Sequence, residues 1–323
     1  MDKSSCATLV NKIRVGVSAC LLGAKVRFDG GHKRNRYVDE VLRDYFEFVP
    51  LCPEVAVGLG TPRQPIRLLG TADSPRVVGT RDPQLDVTDA LRGYGRSVAQ
   101  QHGDLCGMIV KQGSPSCGME RVKVYNDKGM PHASGRGAFT SVLMQSQPLL
   151  PVEEEGRLQD PVLRENFIAR VFTYARWREL EQQGLSKAGL IGFHARHKLI
   201  IMAHSPAGYR ELGQLVARVG SEPLAPLRQR YIERLMQLLA ERAPRKRHAN
   251  VMQHLLGYLR RHLDAGDRAE LLDTIEAYRK GEYPLVVPLS LLRHHFRRNP
   301  HTWVSQQVYL QPHPRELMLH NAV

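Results

Sequence analysis

The chain has 323 residues, 42% hydrophobic and 24% charged, a length that suggests two domains and a composition that excludes a disordered or fibrous protein. No apolar run approaches the length of a bilayer span, and the opening MDKSSCATLV lacks the apolar core of a signal peptide, so a cytoplasmic protein is expected. The net charge of +14 is uneven: residues 1–155 hold 20 Lys and Arg against 17 Asp and Glu, whereas residues 156–323 hold 26 against 15, together with 11 of the 14 histidines. Such asymmetry points to a polyanionic partner for the second half, nucleic acid before others.

In chain order, KIRVGVSAC (12–20), YFEFVPLC (45–52), CGMIVK (106–111) and RVKVYN (121–126) are short β-rich runs bounded by Gly, Pro, Asp and Ser. Helical patterns cover 36–45 and 86–103, the latter with Asp86 or Thr88 as N-cap and Gly103 as terminator. Strands alternating with helices predict right-handed crossovers and a mainly parallel sheet. The polar stretch PVEEEGRLQDP (151–161) reads as the seam after a first domain of residues 1–155. Residues 156–185 then read as a linker helix, with Asp160 and Pro161 suited to N-cap and N1. Its aromatics Phe167, Phe172, Tyr174 and Trp177 suit packing rather than binding. Residues 186–323 are helical throughout, with Ser186, Ser205 and Asp267 as helix openers and Gly220 and Gly281 as stops. The tail 311–323 is expected to be loosely held. The predicted fold class is an α/β N-terminal domain followed by an all-α domain.

The five cysteines, an odd and small number for this length, read as ligands, nucleophiles or inert core residues. Cys20 ends the first strand run, Cys52 ends the second, and Cys117 follows the third on the turn GSPSCG (113–118). Loops after the carboxyl ends of parallel strands share one edge of the sheet, where ligands bind, so these three thiols are expected on one rim. Cys106 starts its strand and belongs at the opposite edge, and Cys6 lies in the N-terminal tail; both read as inert. Three converging thiols leave several chemistries open: a nucleophile with a base, a three-ligand zinc with an open position, or an iron–sulfur cluster with one iron free. A four-ligand structural zinc fits less well, because no C-x-x-C pair occurs.

VSACLLG (17–23), FDGGHKRN (28–35), LCPEVAVGLGTPRQPIRL (51–68), DVTDA (86–90), GSPSCG (113–118) and GRGAFT (135–140), taken together and in order, resemble the thiouracil desulfidase family. The resemblance implies a small α/β domain holding a 4Fe–4S cluster through Cys20, Cys52 and Cys117, with one iron open. It implies Glu54 and Ser114 as catalytic residues in a non-redox exchange of C=S for C=O. Glu54 would serve as general base and acid, and Ser114 would bind the substrate or relay the proton. GLIGFHARHKLIIMAHS (189–205) is similar to the helical domain fused to such desulfidases in longer bacterial proteins, which look like enzymes acting on 4-thiouridine in tRNA.

The glycine-rich loops also carry Lys33, Arg34, Arg63 and Arg67, expected to meet phosphates beside a splayed-out nucleotide. In the basic half, APRKRHAN (243–250), YLRRHL (258–263) and LLRHHFRRNP (291–300) supply Arg245, Lys246, Arg247, Arg260, Arg261, Arg293, Arg297 and Arg298 as expected RNA contacts. Tyr258 and Phe296 stand beside them for stacking on bases. His194, His197 and His204 share one side of a helix and are expected to pack rather than to bind metal. The leading expectation is a desulfidase converting 4-thiouridine in tRNA to uridine. Two other readings stand beside it: a desulfidase of free thiolated pyrimidines, and a non-catalytic iron–sulfur protein that binds RNA.

Overall fold

The computed structural model describes residues 12–321 and 323, so Cys6 lies outside the described residues. The chain divides between Gln159 and Asp160 into an α/β unit and a helical unit.

The α/β unit is built on a four-stranded, wholly parallel sheet in the order β2 (Phe46–Leu51), β1 (Ile13–Ser18), β5 (Gly107–Val110) and β8 (Val152–Glu154). Val15, Val17, Met108, Ile109 and Val110 are fully buried, as expected of strands covered on both faces. Register aligns the strand ends: Ser18 lies opposite Leu51, and Val110 opposite Glu154. The α/β class and its mainly parallel sheet are therefore as read from the sequence.

Three features differ from that reading. The run 121–126 does not join the parallel sheet. It forms β6 (Val122–Tyr125) in a second, mixed sheet with β3 (Ile66–Leu69), β4 (Arg76–Gly79) and β7 (Pro131–Gly135), in the order β4-β3-β6-β7. Its Val122 and Val124 alternate inward to a cluster with Leu68, Val77, Val87 and Leu91, the last from α2 (Thr88–Gln101). The fourth strand of the parallel sheet is instead β8, inside the stretch read as a polar seam. Glu153, Glu154 and Glu155 are buried there because each carboxylate has internal donors, as described below. The expected helix at 36–45 is a π turn, Tyr37–Val41, followed by a 3-10 turn, Leu42–Asp44. Two further helices complete the unit: α1 (Pro53–Ala56) and α3 (Ala138–Ser146).

The helical unit comprises α4 (Pro161–Gln182), α5 (Lys187–His204), α6 (Pro206–Ala217), α7 (Leu224–Ala240), α8 (Arg245–Leu259), α9 (Ala265–Lys280), α10 (Val286–Arg298) and α11 (Thr302–Ser305). Asp160 caps α4 by accepting the amides of Val162 and Leu163 at 2.8 and 3.1 Å. The cap of α9 is Asp264 rather than Asp267, whose own amide it accepts at 2.8 Å. No helix of the described residues is long and apolar enough to cross a membrane.

Helix α4 is a core element rather than a linker. Trp177 is fully buried, stacked on Tyr231 of α7 at 5.7 Å and edge-on to Phe193 of α5 at 5.2 Å. The tail is also fixed. Arg293 and Arg176 donate to the carbonyls of Leu310 and Pro312 at 2.8 and 2.7 Å, and Leu285 donates to the carbonyl of Val323 at 2.7 Å. Trp177→Ala is expected to destabilise the helical unit by about 3–5 kcal/mol, the usual loss for a buried large aromatic. Urea unfolding followed by far-UV circular dichroism measures it; a helix that merely linked two domains would show under ~0.5 kcal/mol.

Candidate metal centre

Three adjacent parallel strands end at one edge, and a cysteine follows each end. Cys20 sits in the 3-10 turn Ala19–Leu22 directly after β1, Cys52 precedes α1 directly after β2, and Cys117 lies on the loop after β5. All three line one cavity of about 260 Å³ together with Arg27, Phe28 and Glu54. Cys106 leads into β5 from the other edge, where its amide donates to Arg14 at 2.9 Å. Among the described residues no fourth cysteine reaches this rim.

The Cys117 loop is shaped by contacts to its backbone. The amides at the start of α3 satisfy its carbonyls: Ala138 donates to Pro115 at 3.0 Å and Phe139 to Ser116 at 3.1 Å, while the Thr140 hydroxyl donates to Cys117 at 2.6 Å. Gly137 permits this approach, since a Cβ there would stand 2.5 Å from the Ser116 carbonyl. On the other side β8 holds both ends of the loop. Glu155 accepts the Gln112 amide at 2.7 Å and pairs with Lys111, and Glu154 accepts the Met119 amide at 2.8 Å. Ser18, at the end of β1, accepts the Lys111 amide at 3.0 Å.

Burial pushes the Cys20 thiol up to about 11, with Arg27 and Lys111 opposing and Cys52 reinforcing the shift. Burial likewise raises Cys52, and raises Cys117 furthest, where Glu54, Cys20 and Cys52 add to it and a hydrogen bond with Ser18 opposes. Three desolvated thiols that repel one another as thiolates form a donor set that a cationic centre would stabilise. The set fits either an iron–sulfur cluster with three cysteine ligands or a three-ligand zinc.

Glu54, in the first turn of α1, is 14% exposed and paired with Arg63, itself 5% exposed. One carboxylate oxygen accepts Arg63 Nε at 2.9 Å and Nη2 at 2.5 Å, and the other accepts the Ser116 hydroxyl. Arg63 also donates to the carbonyls of Gly60 and Val26 at 2.7 and 2.9 Å. Its donors are thus spent on orienting Glu54 and the surrounding loops, and a phosphate is not what it meets. Ser114 accepts the amides of Ser116 and Cys117 at 3.3 and 3.2 Å and shares a hydrogen bond with the Ser116 hydroxyl at 3.1 Å. Ser114, Ser116 and Glu54 therefore form one chain of hydrogen bonds. Sequence reasoning missed Ser116, although it stands within GSPSCG; only the tight turn aims it at Glu54.

The other expected contacts divide. Lys33 is exposed and lines the cavity. Arg34 turns away to Asp39 at 2.5 Å and Glu40 at 3.3 Å. Arg67 lies on β3 in the second sheet, its guanidinium 5.6 Å from the Tyr125 ring centre. Arg27 and Phe28, at the mouth of the cavity, were not anticipated. In the helical unit, Arg245 donates to the carbonyls of Tyr278 and Tyr283, both at 3.2 Å, and Arg247 to that of His204. Arg293 is committed to Leu310, and burial lowers its pKa to about 10. These three cations hold the fold, because backbone carbonyls capture their donors. Lys246, Arg260, Arg261, Arg297 and Arg298 are exposed. His194, His197 and His204 are packed, each with an internal partner: Tyr231 at 3.1 Å, the Phe193 carbonyl at 2.7 Å and the Glu241 carbonyl at 2.6 Å.

Residues 15–155 match a family described as 2-thiouracil desulfurase, and residues 198–314 match one described as a protein of unknown function, DUF1722. The Escherichia coli K12 protein YbgA, described as uncharacterized, is 35% identical over 156 residues, 48% of this chain and 92% of its own. The Bacillus subtilis 168 protein YbbK, also described as uncharacterized, is 31% identical over 108 residues, 32% of this chain and 71% of its own. A solved structure described as the [4Fe-4S]-dependent thiouracil desulfidase TudS is 34% identical, covering 46% of this chain and 94% of that one, with a TM-score of 0.37.

The buried pair at the cavity has a stability consequence. Arg63→Met leaves the Glu54 carboxylate without its cation and is expected to destabilise the α/β unit by about 3–5 kcal/mol. Arg34→Met leaves the buried Asp39 carboxylate its second cation, Arg43, and is expected to cost less, about 1 kcal/mol. Equilibrium denaturation of the two variants beside the parent protein makes the comparison.

Proposed function

The chain belongs to the 2-thiouracil desulfurase family through residues 15–155, and from that premise we propose that it replaces the thiocarbonyl sulfur of a free thiolated pyrimidine with oxygen from water, releasing sulfide. The observation that carries this reading is the convergence of Cys20, Cys52 and Cys117 on a cavity that also holds a positioned carboxylate, Glu54. The cavity of about 260 Å³ would have to take both the cluster and the substrate, which suits a single small heterocycle.

Cys20, Cys52 and Cys117 would hold a 4Fe–4S cluster. Bound there, it supplies an iron without a protein ligand, a Lewis acid with affinity for soft sulfur. Glu54 takes a proton from the attacking water and returns it to the leaving sulfide; one water enters, hydrogen sulfide leaves, and no electrons are exchanged. Arg63 keeps that carboxylate at one angle, and the Ser116 hydroxyl fixes its second oxygen. Ser114, linked to Ser116, offers a hydroxyl to the ring or to the moving proton. Phe28 at the mouth gives the ring a surface to stack on, and Lys33 gives it a cation.

A second reading, thiolated tRNA carrying 4-thiouridine, is favoured by the exposed Lys246, Arg260, Arg261, Arg297 and Arg298. Sulfide release by the anaerobically reconstituted full chain, from 2-thiouracil, 4-thiouracil and thiolated tRNA in turn, separates the two. Turnover of the free bases that is indifferent to salt and to Arg260→Ala with Arg261→Ala supports the first. Turnover confined to tRNA and falling steeply with salt supports the second. In either case Glu54→Gln is expected to keep the visible iron–sulfur absorption and lose 10²–10⁴-fold in kcat. Cys52→Ser is expected to lose both; full colour and activity in that variant would sink the assignment.

A further inference from the structure

The C-terminal segment of the helical unit brings three metal-ligating side chains together around one point. Glu165, near the start of α4, meets His313 and His320, and one ligand atom from each lies within 4.8 Å of the other two. Glu165 Oε1 stands 3.7 Å from His313 Nε2 and 3.6 Å from His320 Nε2. These separations are too long for good hydrogen bonds. They come within a few tenths of an ångström of the ~3.4 Å between neighbouring ligands on a tetrahedral zinc with 2.0–2.1 Å bonds.

The state of His313 makes the case specific. The residue is 4% exposed, and its Nδ1 lies 3.2 Å from the Pro314 carbonyl. A carbonyl only accepts, so Nδ1 donates to it and Nε2 is the ring atom that faces the carboxylate. That Nε2 is buried and has no hydrogen-bond partner. A buried ring nitrogen without a hydrogen-bond partner, aimed at a carboxylate, is an arrangement that a shared cation would satisfy. A ring nitrogen donating to a backbone carbonyl is also how metal-ligating histidines are commonly oriented.

We propose that Glu165, His313 and His320 form a binding site for a zinc-class divalent metal ion. Two imidazoles and one carboxylate favour such an ion over magnesium or calcium. Three protein ligands leave a coordination position for water or an exogenous group. Both imidazoles line a cavity of about 280 Å³ to which Arg293, Arg297 and Arg315 also contribute. Those cations weaken the hold on a bare metal ion and favour an anion as the fourth ligand. The segment is braced for the purpose: Arg176 and Arg293 tie the chain at Pro312 and Leu310, just before His313.

The test is zinc titration of the chelator-treated, cluster-loaded full chain, with zinc per chain read beside iron. One zinc per chain is expected, with binding weakened roughly 100-fold or more in His313→Ala and in Glu165→Gln, beyond the 10–100-fold typical of outer-shell losses. The same result is expected in a chain carrying Cys20→Ser, Cys52→Ser and Cys117→Ser, which separates this site from the thiol rim. Saturation at ~100 times Kd should raise the Tm of the helical unit by about 5–10 °C in the parent and not in the variants. Circular dichroism confirms that Glu165→Gln, which keeps the side-chain volume, remains folded. Equal zinc binding by parent and variants, or no zinc bound at 100 μM, overturns the proposal. A Tm that ignores zinc but falls as the pH is raised would mark a protonated imidazole paired with Glu165, and overturns it equally.

Discussion

The α/β unit depends on satisfying the backbone of one short loop. Between β5 and β6 the chain reverses with Ser116, Cys117 and Gly118 fully enclosed, and each buried carbonyl or amide left without a partner would cost about 1–3 kcal/mol. The amides of α3 supply donors from one side, and the carboxylates of Glu154 and Glu155 supply acceptors from the other. Those carboxylates are tolerated in the interior because the loop gives them charged or amide partners, with Lys111 beside Glu155. Loop and strand thus solve each other's polar problem, and the position of Cys117 follows from that exchange.

The same economy governs the carboxylate at the rim. Glu54 and Arg63 are both largely withdrawn from water, a placement tolerable only because the guanidinium is bidentate on one oxygen and capped by carbonyls elsewhere. A lysine would supply the charge without the fork. The second oxygen of Glu54 is left for Ser116 and, through it, Ser114. Glu54, Ser116, Ser114 and the Cys117 backbone are therefore parts of one hydrogen-bonded rim, and an altered turn at 113–118 would displace them together.

The helical unit uses its positive charge in two ways. Arg245, Arg247 and Arg293 spend donors on backbone carbonyls and act as cross-links between helices and the C-terminal segment. The remaining cations of the same three stretches stay in solvent. Net charge does not distinguish these roles, since a guanidinium contributes the same unit of charge whether it staples or greets a ligand. The histidines divide similarly: most of the α5 set is consumed by packing, while the pair from the C-terminal segment keeps coordinating atoms unspent around Glu165.

Local pattern was enough to place Cys20, Cys52 and Cys117 after strand ends, and the rule that parallel strands share a carboxyl edge gathered them on one rim. Helix caps at Asp160, Ser186 and Ser205 were legible for the same reason, because a cap is a contact between near neighbours in sequence. What the pattern misjudged were contacts across long separations. Three adjacent glutamates read as part of a polar seam until β8 met the loop 111–120; Arg63 read as a phosphate contact until Glu54 claimed it; the tail read as loose until Arg176 and Arg293 fastened it. Periodicity reports which face of an element is apolar, but a buried charge is decided by the partner it finds, and that partner is chosen only when the chain has folded.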